Sequence, residues 1–90
     1  MTRLHMYLRL AEMTQEQFGD LVGVTGVSVG RYCRDRADPE HRQPRRAVGD
    51  RISAQTHGVI HVGNYADEID AAEAAAMMAE IASRAAEAAA

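Results

Sequence analysis

The sequence predicts an all-helical fold: a small bundle of about five helices ending in a long alanine-rich helix. Three observations predict it. Apolar residues recur at spacings of three and four through most of the chain, the periodicity of helices with one buried face. Threonines stand directly ahead of these periodic runs, where a helix needs a side-chain acceptor for its first amides. From Ala66 to Ala90 there is neither Gly nor Pro, and Ala, Glu and Met, the strongest helix formers, dominate.

Leu4, Tyr7, Leu8 and Ala11 fall at i, i+3, i+4 and i+7 and mark one apolar helix face, with Thr2 ahead of them as its cap. Thr14 followed by Gln17 is a capping-box pattern: the hydroxyl takes a first-turn amide and the glutamine side chain reaches back. Phe18, Leu21 and Val22 supply the inward face of this second helix, and Gly23 the left-handed residue that ends it. Thr25 caps again after two linking residues, and Val29 with Tyr32 or Cys33 gives the third helix its buried side. Helix three must therefore turn sharply from helix two. Between Asp35 and Pro44, two prolines and alternating charge without apolar periodicity read as a solvated loop. Pro44 stands as the first-turn proline of a fourth helix, with Val48 and Ile52 as its buried edge, Thr56 near its end and His57-Gly58 as its stop. Val59, Ile60 and Val62 form a short apolar run with no second strand to pair with. They read as a loop that plugs the core, followed by a short turn of helix near Tyr65. The last helix then runs for about six turns.

Ninety residues hold one compact domain with a modest core; residues 1–66 read as that domain and 67–90 as an Ala/Glu-rich appendage. With no Trp and one Phe, the core rests on Leu, Val, Ile, Met and Tyr. The single Cys33 can form no internal disulfide and has no zinc-site spacing around it, so a reducing cytoplasm is the expected compartment. Charges interrupt the apolar positions, leaving no signal-peptide core and no run of about 20 apolar residues for a membrane span. The formal net charge of −3 hides a split: residues 1–66 hold nine Arg against seven acids, residues 67–90 one Arg against six. The basic excess peaks between Arg31 and Arg46, where six Arg face three acids, the electrostatic footprint of a polyanion site.

Two capped helices joined by Gly23-Val24, the second bearing small polar residues and followed by Arg, meet the physical specification of a helix-turn-helix over residues 14 to 34. The run Met13-Thr14-Gln15-Glu16-Gln17-Phe18-Gly19-Asp20-Leu21-Val22-Gly23-Val24-Thr25, continued by Ser28, Val29 and Arg31, resembles the signature of the Cro and lambda-repressor-like (XRE-type) family. Further on, Pro44, Ile52, Thr56, Gly58, Ile60 and Tyr65 resemble the closing helices of its YdaS-like branch. The resemblance covers about residues 4 to 66. It implies a lambda-repressor-like bundle that binds double-stranded DNA. The implied function is a sequence-specific transcriptional regulator, a phage or mobile-element Cro-like repressor acting as a homodimer on a two-fold operator.

Carried over by position, the resemblance has Gln15 hold a phosphate at the amino end of helix two, aided by the helix dipole. Thr25, Gly26, Val27, Ser28 and Arg31 lie along the face of helix three that addresses DNA. Arg31 is suited to a bidentate contact with guanine, Ser28 to a base or a phosphate, and Val27 to a thymine methyl. Arg34, Arg36, Arg42, Arg45 and Arg46 anchor phosphates, which gives affinity and register without sequence choice.

Gly26 and Gly30 depart from what a stable reading helix would choose, at about 1 kcal/mol each against Ala. Bare backbone there allows closer approach to the groove or to a partner. Gly19 stands where the family usually has Ala, which brings helices two and three closer. The same fold can serve instead as a protein-interaction module, such as a toxin–antitoxin component or an inhibitor protein, with the Arg cluster as a solvated face. His57 and His61 are four apart, a zinc spacing when helical, but Gly58 and the apolar run argue against a helix there. Cys33 reads as a packing residue, and nothing in the sequence indicates an enzyme, a cofactor, a metal or a small-molecule substrate. In the tail, Ile69, Ala72, Ala76, Ala79, Ser83, Ala86 and Ala90 form a stripe of small residues with Met77 and Ile81 beside it, suited to dimerisation. The alternative is a helix that folds back on its own domain.

Overall fold

The computed structural model describes residues 1–90 and contains five helices and no strand: α1 (Arg3–Leu10), α2 (Gln15–Val22), α3 (Gly26–Tyr32), α4 (Arg46–Gln55) and the long α5 (Ala71–Ala89). No helix is long and apolar enough to cross a membrane.

Helix α1 buries Leu4, Tyr7 and Leu8, the face its spacing predicts. Thr2 holds the cap position as expected, but its side chain makes no capping bond; its hydroxyl donates instead to the Cys33 carbonyl just past α3, tying the chain start to the end of that helix. Thr14 and Gln17 form the expected capping box on α2, whose end is set by Gly23 in the left-handed region (φ 79°). Phe18 and Val22 are buried and Tyr7 meets Phe18 edge to face, with centroids 6.0 Å apart. Leu21, expected inside, is 48 % exposed. At ~100° per residue, the arc from Phe18 through Val22 to Gly19 faces the core and α3, and Leu21 falls outside it.

Helix α3 is capped by Thr25, which accepts the Ser28 N–H, and it buries Val29 and Tyr32, with Cys33 following into the core. The loop to α4 places a buried Pro44 one residue ahead of the cap position, held by Arg45, rather than inside the first turn. Val48 and Ile52 turn inward as expected, and two left-handed residues, His57 (φ 52°) and Gly58 (φ 80°), end the helix beyond Thr56. Ile60 plugs the core completely, whereas Val62 faces solvent. No helix forms near Tyr65; the Asn64 and Tyr65 amides both donate to the His61 carbonyl in a turn.

The final helix starts later than its composition predicts because residues 65–69 pair with the chain start. Leu4 N–H donates to the Tyr65 carbonyl (2.9 Å), Arg3 N–H to Asp67 (2.8 Å) and Ile69 N–H to Met1 (3.2 Å). Asp70 then caps α5 in a capping box with Glu73. Helix α5 folds back on α1: Ala74 and Met77 enter the same core as Leu4, Phe18 and Ile52, with Met78 and Ile81 at its edge. Of the residues expected on a dimerisation face, Ile69 and Met77 lie inside their own domain and Ile81 is half-buried, whereas Ala72 and Ala76 are exposed. Residues 67–90 are thus joined through Ile69, Ala74 and Met77 to the core of residues 1–66.

Candidate nucleic-acid interface

Helices α2 and α3 are set against each other by glycines. A Cβ on Gly26 would lie 3.1 Å from the backbone N and Cα of Glu16, and one on Gly30 would lie 2.8 Å from Gln15 Oε1. Both glycines therefore face the first turn of α2. Gly26 belongs to the helix contact rather than to the open face on which the sequence placed it.

What α3 presents outward is Val27, 70 % exposed, with Arg31 and part of Ser28. The Ser28 hydroxyl is engaged by Thr25, Oγ1 to Oγ at 3.2 Å. A polar concavity on one side of this ridge is lined by His5, Gln15, Val27, Arg31 and Arg34, with Glu40 at its rim. A second one on the other side is lined by Ser28, Tyr32, Arg42, Gln43 and Arg45. Gln15, Thr25, Val27, Ser28, Arg31, Arg42 and Arg45, scattered over 31 positions, are brought to one surface.

The arginines divide by partner. Arg34 bridges Asp38 (3.1 Å) and Glu40 (3.0 Å), and Arg36 pairs with Asp67 (2.8 Å) while lying 5.5 Å over the Tyr65 ring. The Asp67 hydrogen bond holds Arg36 still more firmly in its charged form. Asp38 is held below the usual carboxylate range by the Glu40 amide first and by Arg34 second. Arg34 and Arg36 thus have their charges answered within the chain. Arg31, Arg42, Arg45 and Arg46 are exposed and form no ion pair. Arg46 lines a separate hollow with Asp50, Ser53 and His61, at the edge of this surface.

Two supporting residues, Arg51 and His41, have no sequence signal, and a third, Thr56, stands in the sequence only as the end of α4 and a piece of the family resemblance. The Arg51 guanidinium donates to the Val22 carbonyl (3.3 Å) at the end of α2, placing positive charge where the helix dipole is negative. Thr56 is fully buried and links α4 to the plug: it accepts the Ile60 N–H (3.0 Å), and its proton has the Ile52 (3.0 Å) and Ile60 (3.1 Å) carbonyls in reach. His41 stands between the Arg34 carbonyl and the Tyr65 hydroxyl. The Arg51–Val22 and His41–Tyr65 pairings span 29 and 24 residues and carry no local signature, whereas the Thr56 bonds to Ile52 and Ile60 each span four.

Cys33 is buried, and burial pushes its thiol up to about 12, consistent with a packing role. His57 lies in a turn and His61 just ahead of one, so neither is helical, and no group of three or more His, Cys, Asp or Glu side chains converges. Compared with known proteins, the chain matches no family model, no curated protein and no solved structure.

Proposed function

We propose that this chain is a DNA-binding transcriptional regulator of the Cro-like kind, a repressor that lays α3 in the major groove of its operator. The observation that carries the reading is the exposed ridge of Val27, Ser28 and Arg31 on a capped seven-residue helix, flanked by unpaired Arg42 and Arg45. In this reading Arg31 addresses a base edge, Val27 meets a thymine methyl, and Arg42 and Arg45 grip the phosphates beside the groove. Gln15 projects over Gly30 toward the same ridge, where it meets a phosphate or an adjoining base. Glu73, Glu80 and Glu87 make the exposed side of α5 acidic, which disfavours contact of that side with the duplex.

The repressor acts as a two-fold dimer on half-sites about one helical turn apart. Its contacts are made by the exposed stripe of α5 around Ala72, Ala76 and Ala79 rather than by Met77. Light scattering of wild type and Ala76→Glu tests the stripe; an Ala76→Glu mass equal to that of a wild-type dimer contradicts it. Exposed Val27 and Leu21 favour, as a second reading, a protein-binding module on the same fold. Competition of a labelled own-promoter duplex with random duplex separates the two. Preferential retention of the promoter supports the regulator, and no retention of either duplex at low salt removes it.

A further inference from the structure

His41 lies in the loop between α3 and α4 and bonds in two directions. Its Nδ1 is 2.8 Å from the Arg34 carbonyl and its Nε2 is 2.7 Å from the Tyr65 hydroxyl. A carbonyl only accepts, so the neutral ring carries its proton on Nδ1 and its Nε2 accepts from the Tyr65 O–H. The two rings also stack, with centroids 5.7 Å apart and planes 23° from parallel. Tyr65 is itself immobilised: its side chain is buried, its carbonyl accepts the Leu4 N–H and Arg36 lies over its ring. One residue beyond His41, the Arg42 N–H donates to the Arg31 carbonyl at the end of α3 (3.3 Å). The loop is therefore tied to both the core and the last turn of α3 immediately before the segment that carries Arg42 and Arg45.

We propose that His41 and Tyr65 are positioning residues for DNA binding: their clasp holds Arg42 and Arg45 beside Ser28, in place to grip phosphate before DNA arrives. The inference rests on the DNA-binding reading above. Released from the clasp, the loop lets both arginines fall away from the phosphates and their contacts are lost, so the clasp acts through the two arginines and not through a contact of its own.

The test is the dependence of log Kd on log salt for the full chain on its own-promoter duplex. It compares wild type, Tyr65→Phe, His41→Phe, and Arg42→Ala with Arg45→Ala in the presence and absence of Tyr65→Phe. Tyr65→Phe keeps the buried ring and the stack and removes only the hydroxyl. His41→Phe removes both bonds from the half-exposed side, so the pair guards against one variant failing to fold. Each single variant is expected to lower the slope by about 1 to 2, since each phosphate contact contributes about 0.9. Tyr65→Phe is expected to change nothing once Arg42 and Arg45 are alanine. A wild-type slope in either variant that retains wild-type helical circular dichroism overturns the clasp, as does an undiminished Tyr65→Phe effect in the alanine background. Both results leave DNA binding standing. Absence of wild-type binding at low salt overturns the regulator reading and this inference together.

Discussion

Gly19 and Val24 approach so closely that no methyl group fits between them: a Cβ on Gly19 would lie 2.5 Å from the Val24 carbonyl oxygen. The Gly19 carbonyl also accepts both the Gly23 (2.8 Å) and Val24 (3.0 Å) amides, so the turn is wrapped onto this one residue. Gly19→Ala is expected to destabilise the fold by about 1–3 kcal/mol through overpacking. That outweighs the ~1 kcal/mol which Ala gains over Gly inside a helix. Urea unfolding of the variant measures it, and a higher midpoint than wild type contradicts the close approach.

Gly30 is the opposite case, because the atom a Cβ would meet is the far end of the Gln15 side chain. Gly30→Ala is expected to raise stability by up to about 1 kcal/mol, since the Gln15 amide can swing away. The same swing removes Gln15 from the ridge, so DNA affinity falls as stability rises. Paired melting and binding measurements read both signs; a parallel rise in the two contradicts the placement of Gln15.

The fold was largely legible, the site only partly, and the difference lies in the range of the interactions. Thr14, Gln17, Gly23 and Thr25 act on amides within a few residues, so the bounds of α2 and the start of α3 follow from spacing alone. Thr2, Arg36 and His41 act on partners 31, 31 and 24 residues away, which no local pattern encodes. The same applies to the tail. Its composition announces a helix, but only the pairing of residues 65–69 with the chain start fixes where it begins and turns Met77 inward.

Thr56 is expected to be the most sensitive polar position of the core. Thr56→Val keeps the shape and removes the hydroxyl that accepts the Ile60 amide, leaving a buried donor unpaired at a loss of about 1–3 kcal/mol. Chemical unfolding reads the change, and a loss below a few tenths of this range contradicts the assigned hydrogen bond.

Stability is expected to decline at alkaline pH. Burial raises the Cys33 thiol from 9.0 to about 12, and raises the Tyr7 and Tyr65 hydroxyls above 10.0. A group whose folded pKa is raised contributes stability that is complete below its unfolded pKa and lost as pH climbs toward the folded one. For Cys33 that window runs from about 9 to about 12. Unfolding midpoints measured between pH 7 and 11 are expected to hold level to about pH 9 and then fall. Cys33→Ala is expected to start lower, from lost packing, but to fall less steeply; an equal decline in both contradicts the assignment to Cys33.

The central claim, that the α3 ridge and its flanking arginines form a DNA-binding surface, is tested most directly by the salt dependence of duplex binding. Wild type, Arg31→Ala and Arg45→Ala are titrated against own-promoter and random DNA at two salt concentrations. Arg45→Ala is expected to weaken binding to both duplexes alike and to lower the salt slope by about 1, whereas Arg31→Ala chiefly narrows the preference for the promoter. No wild-type binding at low salt, or no loss in either variant, contradicts it.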